Sequence, residues 1–528
     1  MPETGTPRSP RLNSRVVPWP LLAILAVQVV LAAPLIASRE IFSDEGLYLY
    51  SGQQMLNHWL HGTPVQDFEI YFSGSPALYP PIGALANHFG GLAGARTLSL
   101  LFILATTVLL FATTSRLFGR AAAYFAALLF ASLGGTQFLS ALATYDTMSL
   151  FLLALAAFLA VGLPYHSASI AAPMRVFVLA PMLLALADAV KYAAFLWNPV
   201  VIVMVAVTPN LAGERTRPPL AYTARFSGVL AITLGLGLLI GGPKYWTGIM
   251  DTTVARTPQQ IGIPTPAGIV LHLAWAWVGV VVVLALAGLA LVLVRPHPRR
   301  GAMTAVAAAL AVGTLLAPLN QARIETSVSL QKHVVFGAWF GCILAGHAIA
   351  KFASGPLPRV RRPLRLGLLG VVFAVTLGTV PPAYATQVPE WHQWQVENPA
   401  FITALRKIAP PGSSRYLIEG HMDITAYYVG DVGSLQWKEA GGDGYAYTDP
   451  ATGQTLSGNA AYRLAVSNRV FTLIILNNQE TTDGVIEGAI KKYGTYRLSG
   501  YLPPSTLGSD TRFEVWAVQG AAAAGVAR

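Results

Sequence analysis

Residues 41–50 read Ile-Phe-Ser-Asp-Glu-Gly-Leu-Tyr-Leu-Tyr and place two adjacent carboxylates, Asp44 and Glu45, just after an apolar run at residues 21–36. The run can cross a bilayer as a helix, because a span needs about 20 apolar residues and shorter ones fit within a bundle. Residues 51–60 continue with apolar side chains at helical spacing, but this segment is too amphipathic to span. The pattern predicts a helix over about residues 44–60 that lies in the membrane interface.

The two carboxylates have two interpretations. Ions held at membrane depth are costly and usually functional. Alternatively, Ser43 and Asp44 cap the predicted helix and complement its dipole. The local sequence supports both interpretations equally.

The composition of the whole chain is that of a membrane protein. Of its 528 residues, 54% are hydrophobic and 11% are charged, whereas ordinary soluble domains carry about 25% charged residues. This composition excludes a soluble enzyme and a disordered scaffold, and the single cysteine, Cys342, excludes an intrachain disulfide. The net charge of +11 is typical of nucleic-acid binding, but the basic residues fall in loops between apolar runs. We therefore expect no nucleic-acid partner.

About eleven segments are predicted to span the membrane. They are residues 21–36, 97–114, 121–132, 148–161, 176–187, 192–207, 228–241, 269–294, 302–317, 334–350 and 367–380. Basic residues occur before the first segment and in every second loop, and carboxylates occur in the alternate loops, so the positive-inside rule places the N-terminus in the cytoplasm. An odd number of spans then puts the C-terminus outside.

The predicted organisation is mainly α. A basic cytoplasmic tail (1–16) precedes a polytopic helical membrane domain (17–382), which is followed by an extracytoplasmic domain (383–520) and a short tail (521–528). In the outer domain, residues 415–419, 470–476 and 512–518 read as strands, and residues 398–408 and 483–493 read as helices. We expect an α/β or α+β domain, and its sequence contains no pattern of a catalytic triad or a metal site.

A third carboxylate, Asp146, opens the fourth predicted span on the outer side. It is either a helix cap or part of the same site as Asp44. A general base that takes a proton from a hydroxyl needs such a carboxylate, sufficiently desolvated to raise its basicity.

Several cations stand where apolar residues or anions are expected. Lys191 interrupts the apolar residues 176–207 and is either paired with Asp188, three residues earlier, or placed at a helix break to bind a lipid phosphate. Lys332 and His333 open the tenth predicted span, where they either snorkel to lipid headgroups or hold an anion together with the backbone amides. Further candidates lie in outer loops, namely Arg256 and Arg323.

Together, the Asp-Glu pair after the first span, the acidic residue opening the second outer loop, the spans and the outer domain resemble the GT-C superfamily of integral membrane glycosyltransferases. The chain is most similar to bacterial relatives (family 39-like) of protein O-mannosyltransferases and of the lipid A aminoarabinose transferase. The resemblance covers residues 17 to about 380. It implies that Asp44 lies at the catalytic centre, with Glu45 beside it, and that Asp146 is the acidic residue of the second loop.

The resemblance also extends to residues 78–81, Leu-Tyr-Pro-Pro, which are similar to a Pro-Pro segment of the family. Tyr79 stands where many relatives have Lys or His. We therefore expect Tyr79 to contact the donor or the acceptor in place of such a cation.

The resemblance implies an inverting transfer of a hexosyl or pentosyl group from a polyprenyl-phosphate donor at the outer face of a bacterial plasma membrane. The acceptor is a cell-envelope lipid, glycan or protein. Asp44 is the expected base, while Glu45 and Asp146 orient the acceptor or the base, or hold a divalent metal. A divalent metal is the one cofactor that the sequence leaves open. The expected ligands of the donor phosphate are Lys191, Arg256, Arg323, Lys332 and His333.

Two other classes of protein remain as alternatives. A flippase or transporter of lipid-linked sugars is expected to show internal repeats and polar residues at the membrane midplane. The sequence has no two matching halves, and its carboxylates cluster on the outer side. A structural or sensing subunit that uses the outer domain to bind cell-wall polymer is the third class.

Overall fold

The computed structural model describes a helical membrane region and a small C-terminal sheet. The described residues are 18–37, 41–70, 72–162, 174–212, 219–254, 264–294, 299–354, 367, 370, 374, 378, 399–409, 414–419, 422–429, 436–440, 445–478, 481–504 and 511–519.

Twelve helices make up the described part of residues 18–354. They are α1 (Trp19–Ile36), α2 (Ser43–His61), α3 (Tyr79–Phe118), α4 (Arg120–Ser132), α5 (Gly134–Ser140), α6 (Tyr145–Ala160), α7 (Ala180–Val190), α8 (Asn198–Ala212), α9 (Pro219–Ile249), α10 (Ala267–Val294), α11 (Arg300–Arg323) and α12 (Leu330–Ser354). Short 3-10 segments lie at Phe68–Ile70 and Tyr192–Trp197. Arg175–Leu179 and Met250–Val254 are π-helical turns that continue into α7 and from α9.

Within the described residues, six helices are long and apolar enough to cross a membrane, namely α1, α3, α9, α10, α11 and α12. The pair α4 and α5, bent by 69°, makes a seventh if it forms one span. The predicted segments between residues 21 and 350 all fall on helices, but several of these helices are short, such as α6 with 16 residues and α7 with 11. Helix length alone therefore gives fewer spans than the predicted eleven. The predicted span 367–380 lies outside the described residues except at four positions.

Two of the long helices change direction at a glycine. Gly91 in α3 has φ 60° and Gly242 in α9 has φ 74°. No atom lies within 4 Å of a Cβ built at either position. Glycine is therefore required at these positions by the positive φ and not by a lack of space for a side chain. Each break separates an outer piece of helix from the piece that continues into the apolar bundle.

Helix α2 begins and ends within one residue of the predicted interfacial helix. Its first turn carries Asp44 and Glu45, and it ends at Gly62, whose φ is 67°. The last turn leaves Trp59 and Leu60 exposed, by 52% and 72%, as an interfacial helix would. Along its buried face, a Cβ at Gly52 would lie 2.0 Å from the Pro80 carbonyl oxygen, so only glycine allows α2 to approach the start of α3 this closely.

The C-terminal region folds as a mixed sheet with flanking helices. The five-stranded sheet has the order β2-β1-β5-β7-β6, in which β1 pairs in parallel with β2 and β5, and β7 pairs antiparallel with β5 and β6. The strands are β1 (Tyr416–Glu419), β2 (Trp437–Ala440), β5 (Leu473–Leu476), β6 (Tyr496–Leu502) and β7 (Phe513–Val518), and a separate hairpin joins β3 (Ala446–Thr448) to β4 (Thr455–Ser457). The helices are α13 (Pro399–Ile408), α14 (Met422–Val429), α15 (Gly458–Ser467) and α16 (Thr481–Tyr493).

The C-terminal domain packs directly on the outer loops of the helical region. One buried hydrophobic cluster contains Ile41, Leu49 and Ala143 from those loops together with Phe401 and Phe513. A hydrogen bond also crosses the boundary, since the Tyr427 hydroxyl on α14 donates to Asn87 Oδ1 at 2.9 Å. The domain therefore sits over the segment that carries the two adjacent carboxylates.

Candidate functional site

Asp44 and Lys332 meet at the starts of two helices. Asp44 lies in the first turn of α2, and Lys332 lies in the first turn of α12. The Lys332 ammonium donates a hydrogen bond to Asp44 Oδ2. The lysine side chain is 3% exposed and the aspartate side chain is 32% exposed. The structure thus joins a reachable carboxylate to a buried cation that lies 288 positions later in the sequence.

Asp146 and Lys191 form a second ion pair. Asp146 lies in the first turn of α6 with a fully buried side chain, and its Oδ1 is 2.9 Å from the Lys191 ammonium. The predicted alternative of a local pair between Lys191 and Asp188 is wrong. Asp188 Oδ2 instead accepts a hydrogen bond from Asn198 Nδ2 at 2.7 Å. The helix ends at Lys191, and this removes the spacing that a local pair requires.

Backbone hydrogen bonds hold the chain extended at Lys191. Its φ of −147° and ψ of 113° separate α7 from the 3-10 segment that follows. The Ser75 N–H donates to the Ala189 carbonyl at 2.8 Å, and the Tyr192 N–H donates to the Ser73 carbonyl at 3.0 Å. Between these two bonds, a Cβ on Gly74 would lie 2.0 Å from the Val190 carbonyl oxygen. The first outer loop therefore sets the break from which Lys191 reaches Asp146.

Aromatic residues connect the two ion pairs. The rings of Tyr48 and Tyr145 lie 4.3 Å apart between centroids, and the Lys191 ammonium lies 4.7 Å from the centre of the Tyr145 ring. Ser73 Oγ and the Tyr145 hydroxyl share a hydrogen bond. Lys332 also acts electrostatically on Asp146. We call this group the carboxylate–lysine cluster, and its members are Asp44, Lys332, Asp146, Lys191, Tyr48 and Tyr145.

The cluster balances its charges and keeps the Tyr48 phenol neutral. Two ammonium groups face two carboxylates, so the formal charges cancel. Burial, together with Tyr145 and the carboxylates of Asp44 and Asp146, raises the pKa of the Tyr48 phenol well above its ordinary value of 10.0. Tyr48 is therefore a neutral phenol at physiological pH. Asp146 Oδ2 is fully buried and accepts no hydrogen bond from the residues that the structure describes.

The other predicted phosphate ligands have different surroundings. His333 is half-buried, and its Nδ1 accepts a 2.8 Å hydrogen bond from Gln321 Nε2. Arg323 is exposed and donates to Asn320 Oδ1 at 3.0 Å. Arg256 lies outside the described residues.

Tyr79 does not present its hydroxyl at the surface. The residue is fully buried, and its hydroxyl shares a long hydrogen bond of 3.4 Å with Ser99 Oγ. In this arrangement the predicted contact of Tyr79 with the donor or the acceptor requires a path through buried side chains.

Glu45 is fully buried behind Asp44. Its Oε2 lies 2.7 Å from Arg96 Nη2, and neither side chain is exposed. Arg96 was absent from the sequence-based candidates. The signal that could have found it is its position directly before the predicted span 97–114, at the end of that span that follows the segment carrying Asp44 and Glu45.

The described residues contain no group of three or more His, Cys, Asp or Glu side chains arranged to hold a metal ion. Asp44 and Asp146 each contact an ammonium group. This donor set suits a ligand with hydroxyls and an anionic group better than a metal ion, and no chemical step below depends on a metal.

Residues 42–247 match the sequence model of the family described as dolichyl-phosphate-mannose-protein mannosyltransferase. The matched segment contains Asp44, Glu45, Arg96, Asp146 and Lys191. No curated protein matches the sequence.

Two solved structures have a similar fold along most of the chain. The first is ArnT from Cupriavidus metallidurans bound to undecaprenyl phosphate, which is 14% identical, with 95% of this chain and 98% of that chain covered and a TM-score of 0.59. The second is the oligosaccharyltransferase AglB from Archaeoglobus fulgidus in complex with an inhibitory peptide and a dolichol-phosphate. It is 11% identical, with 91% and 72% of the two chains covered and a TM-score of 0.54.

At these identities the structural likeness establishes the fold alone. The resemblance predicted from the sequence is confirmed. The chain is a multi-pass membrane protein with the fold of the GT-C glycosyltransferases, and its residues 42–247 are similar to the protein mannosyltransferase family model.

Proposed function

We propose that this protein transfers a hexosyl or pentosyl group from a polyprenyl-phosphate donor to a hydroxyl of a cell-envelope lipid, glycan or protein. The transfer takes place at the outer face of a bacterial plasma membrane, with the N-terminus in the cytoplasm and the C-terminal domain outside. The observation that carries this proposal is the carboxylate–lysine cluster, in which an accessible carboxylate and a buried ammonium meet at the N-terminal ends of α2 and α12.

The donor phosphate belongs beside Lys332. The Lys332 ammonium offers an anion a charge-assisted hydrogen bond, whereas the N–H groups of Leu330, Lys332 and His333 already donate to the carbonyls of Ser327 and Ser329. Lys191 supplies further positive charge near Asp146, and His333, next to Lys332 in the chain, is a further candidate ligand of the phosphate. The polyprenyl-type lipids named for ArnT and AglB have the same chemistry, a phosphate on a long apolar tail. A donor of this kind needs a site that opens to the bilayer, which a helical membrane fold provides.

The chemical step is a single displacement at the anomeric carbon. The Asp44 carboxylate takes the proton from the acceptor hydroxyl, and the hydroxyl oxygen forms the new bond to the anomeric carbon. The bond from that carbon to the phosphate oxygen breaks, and its electron pair leaves on the phosphate. The products are the glycosylated acceptor with inverted configuration and polyprenyl phosphate. The ammonium of Lys332 stabilises the charge that develops on the leaving phosphate.

Binding of the donor phosphate also releases Asp44 from its contact with Lys332. Lys332 contacts Asp44 in the structure, and this contact occupies Oδ2 of the carboxylate. A phosphate beside Lys332 competes for the same ammonium. Asp44 then becomes available to the acceptor when the donor is in place.

Asp146 is expected to orient the acceptor. Its carboxylate is buried, fixed by Lys191 at 2.9 Å, and retains an oxygen without a donor among the described residues. A sugar or serine-type hydroxyl would satisfy that oxygen.

Reconstitution tests the proposal directly. The purified chain in lipid vesicles is supplied with a panel of radiolabelled hexosyl and pentosyl polyprenyl phosphates and with an envelope extract as acceptor. We expect label to move to the acceptor while an equal amount of polyprenyl phosphate is released, with inversion at the anomeric carbon. A flippase would instead carry intact donor across the vesicle membrane without cleavage, and that result would overturn the proposal.

Replacing Lys332 with Ala is expected to raise the donor KM by about 10- to 100-fold, because a hydrogen bond to a charged group contributes about 1.5–3 kcal/mol. The acceptor KM should change little. Steady-state kinetics with each substrate varied in turn measures the effect. Lys351→Ala, at the opposite end of the same helix, is the matched control and should leave the donor KM unchanged. A rise confined to the acceptor KM would contradict a role for Lys332 in binding phosphate.

A further inference from the structure

The Glu45 carboxylate accepts four hydrogen bonds, two from the Arg96 side chain and two from backbone N–H groups. Arg96 donates from Nε to Oε1 at 2.9 Å and from Nη2 to Oε2 at 2.7 Å. The Phe42 N–H donates to Oε2 at 2.9 Å, and the Ala143 N–H donates to Oε1 at 2.8 Å. The third nitrogen of Arg96, Nη1, donates to the Leu35 carbonyl at 3.2 Å.

These bonds tie together four segments of the chain, of which α3 and the loop before α6 are distant in the sequence from the other two. Leu35 lies in the last turn of α1, Phe42 caps α2, Arg96 lies in α3, and Ala143 lies in the loop before α6. Two of these attachment points lie close to the proposed reacting carboxylates. Phe42 is two residues before Asp44, and Ala143 is three residues before Asp146. The ion pair is therefore the link between the backbone that carries one carboxylate and the backbone that carries the other.

The C-terminal domain covers this link. Helix α14 lies against α2, and its Tyr427 and Tyr428 are close enough to Arg96 to act on it electrostatically. The Tyr427 hydroxyl donates to Asn87 on the outer piece of α3. Both Glu45 and Arg96 are fully buried beneath this contact. An ion pair without competing water keeps its geometry far better than an exposed one does.

We propose that the Glu45–Arg96 pair is a positioning clamp that fixes the separation of Asp44 and Asp146, and that α14 of the C-terminal domain closes the clamp from outside. The proposal rests on the proposed transferase function. It gives Glu45 a role different from a contact with substrate or metal. Both oxygens of its carboxylate already accept hydrogen bonds from Arg96 and from two backbone N–H groups. It also gives the C-terminal domain a role in setting up the transfer step, besides any binding of acceptor.

The planar guanidinium group of Arg96 donates hydrogen bonds from several nitrogens at once. This geometry distinguishes a role in positioning Glu45 from a role in neutralising its charge. Arg96 reaches both Glu45 oxygens and the Leu35 carbonyl at once, whereas a lysine ammonium supplies the same charge from a single point. If Arg96 only neutralised Glu45, lysine would replace it without loss. A clamp needs the planar fork, because displacing a reacting group by about 1 Å can cost about 100-fold in rate.

Steady-state kinetics of Arg96→Lys and Glu45→Gln test the clamp. We expect kcat to fall by about 10- to 100-fold, while the KM values for donor and acceptor stay within about twofold. The pH–rate profile should keep its shape, since Asp44 remains the base. If either single variant fails to fold, the double variant Glu45→Gln with Arg96→Met removes both charges together and is assayed instead. The exposed pair Lys491–Glu487 in α16 provides the matched control, and Glu487→Gln should have unchanged kinetics.

A second pair of variants tests whether α14 of the C-terminal domain closes the clamp. Tyr427→Ala removes the contact with Asn87 and is expected to lower kcat by about 10-fold at unchanged KM. Tyr493→Ala, at an exposed tyrosine of the same domain, should have no effect.

Each outcome decides the proposal. Full kcat in Arg96→Lys or in Tyr427→Ala would overturn the corresponding part of the clamp. A parallel rise of KM in Glu45→Gln would show that Glu45 contacts a substrate. Loss of one limb of the pH profile would show that Glu45 is itself the base. Absence of any product from the unsubstituted protein would mark failure of the proposed function, which is distinct from failure of the clamp.

Discussion

Replacing Asp44 with Asn is expected to lower kcat for sugar transfer by about 1,000-fold or more while the protein remains folded. A positioned general base contributes about 100- to 10,000-fold, and asparagine keeps the shape of the side chain but cannot take the proton from the acceptor. Folding should persist because the Asp44 side chain is 32% exposed, so water can solvate the Lys332 ammonium from this side, and the asparagine carbonyl can still accept its hydrogen bond. Initial rates with a labelled donor and thermal unfolding of the purified variant measure the two effects.

Asp67→Asn is the matched control for this experiment. Asp67 follows α2 in the same outer loop and pairs with Lys244 at 2.6 Å, with both side chains about half exposed. Its replacement should leave kcat unchanged. If Asp44→Asn retained the rate of the unsubstituted protein, Asp44 could not be the base, and the assignment of the mechanism would have to start from Asp146.

The second large effect is expected at the buried pair of Asp146 and Lys191. Asp146→Asn alone leaves the ammonium of Lys191 buried without its carboxylate, and breaking a buried pair in this way costs about 3–5 kcal/mol. The double variant Asp146→Asn with Lys191→Met removes both charges, so its stability should return close to that of the unsubstituted protein. Its transfer rate should remain at least about 100-fold low, since the group that orients the acceptor is gone.

Thermal unfolding and single-turnover rates of the single and double variants separate these two effects. The exposed pair of Asp67 and Lys244 is again the control, and its double replacement by Asn and Met should change neither property. A double variant at Asp146 and Lys191 that regained full activity would show that the pair only supports the fold.

The sequence predicted most of the membrane helices, and it singled out charged side chains that the structure brings into contact. A cation or carboxylate inside an apolar run is visible against its neighbours, which is how Asp44, Asp146, Lys191 and Lys332 were identified. The bounds of α2 followed from the spacing of its apolar residues. The strands β1, β5 and β7 were found because they contain consecutive apolar residues, whereas polar residues or glycine interrupt the apolar residues of β2, β3, β4 and the seven-residue β6.

The partners of these charges were less predictable, because they depend on contacts between distant segments. The pairing of Lys191 with Asp146 depends on two backbone hydrogen bonds made by residues 73 and 75. The pairing of Glu45 with Arg96 depends on α3 passing behind α2. The number of spans also could not be fixed from apolar runs, since several of these runs form helices that are short for a membrane crossing, such as α6 and α7.

The contact between Asp44 and Lys332 has a consequence for the biogenesis of the protein. The carboxylate is made early and its ammonium partner 288 positions later, after most of the apolar helices have left the ribosome. Until α12 is inserted, a nascent chain holds the proposed base without the cation that is to receive the lipid phosphate. Catalytic competence therefore arrives late in translation, when the chain has almost completed its membrane integration.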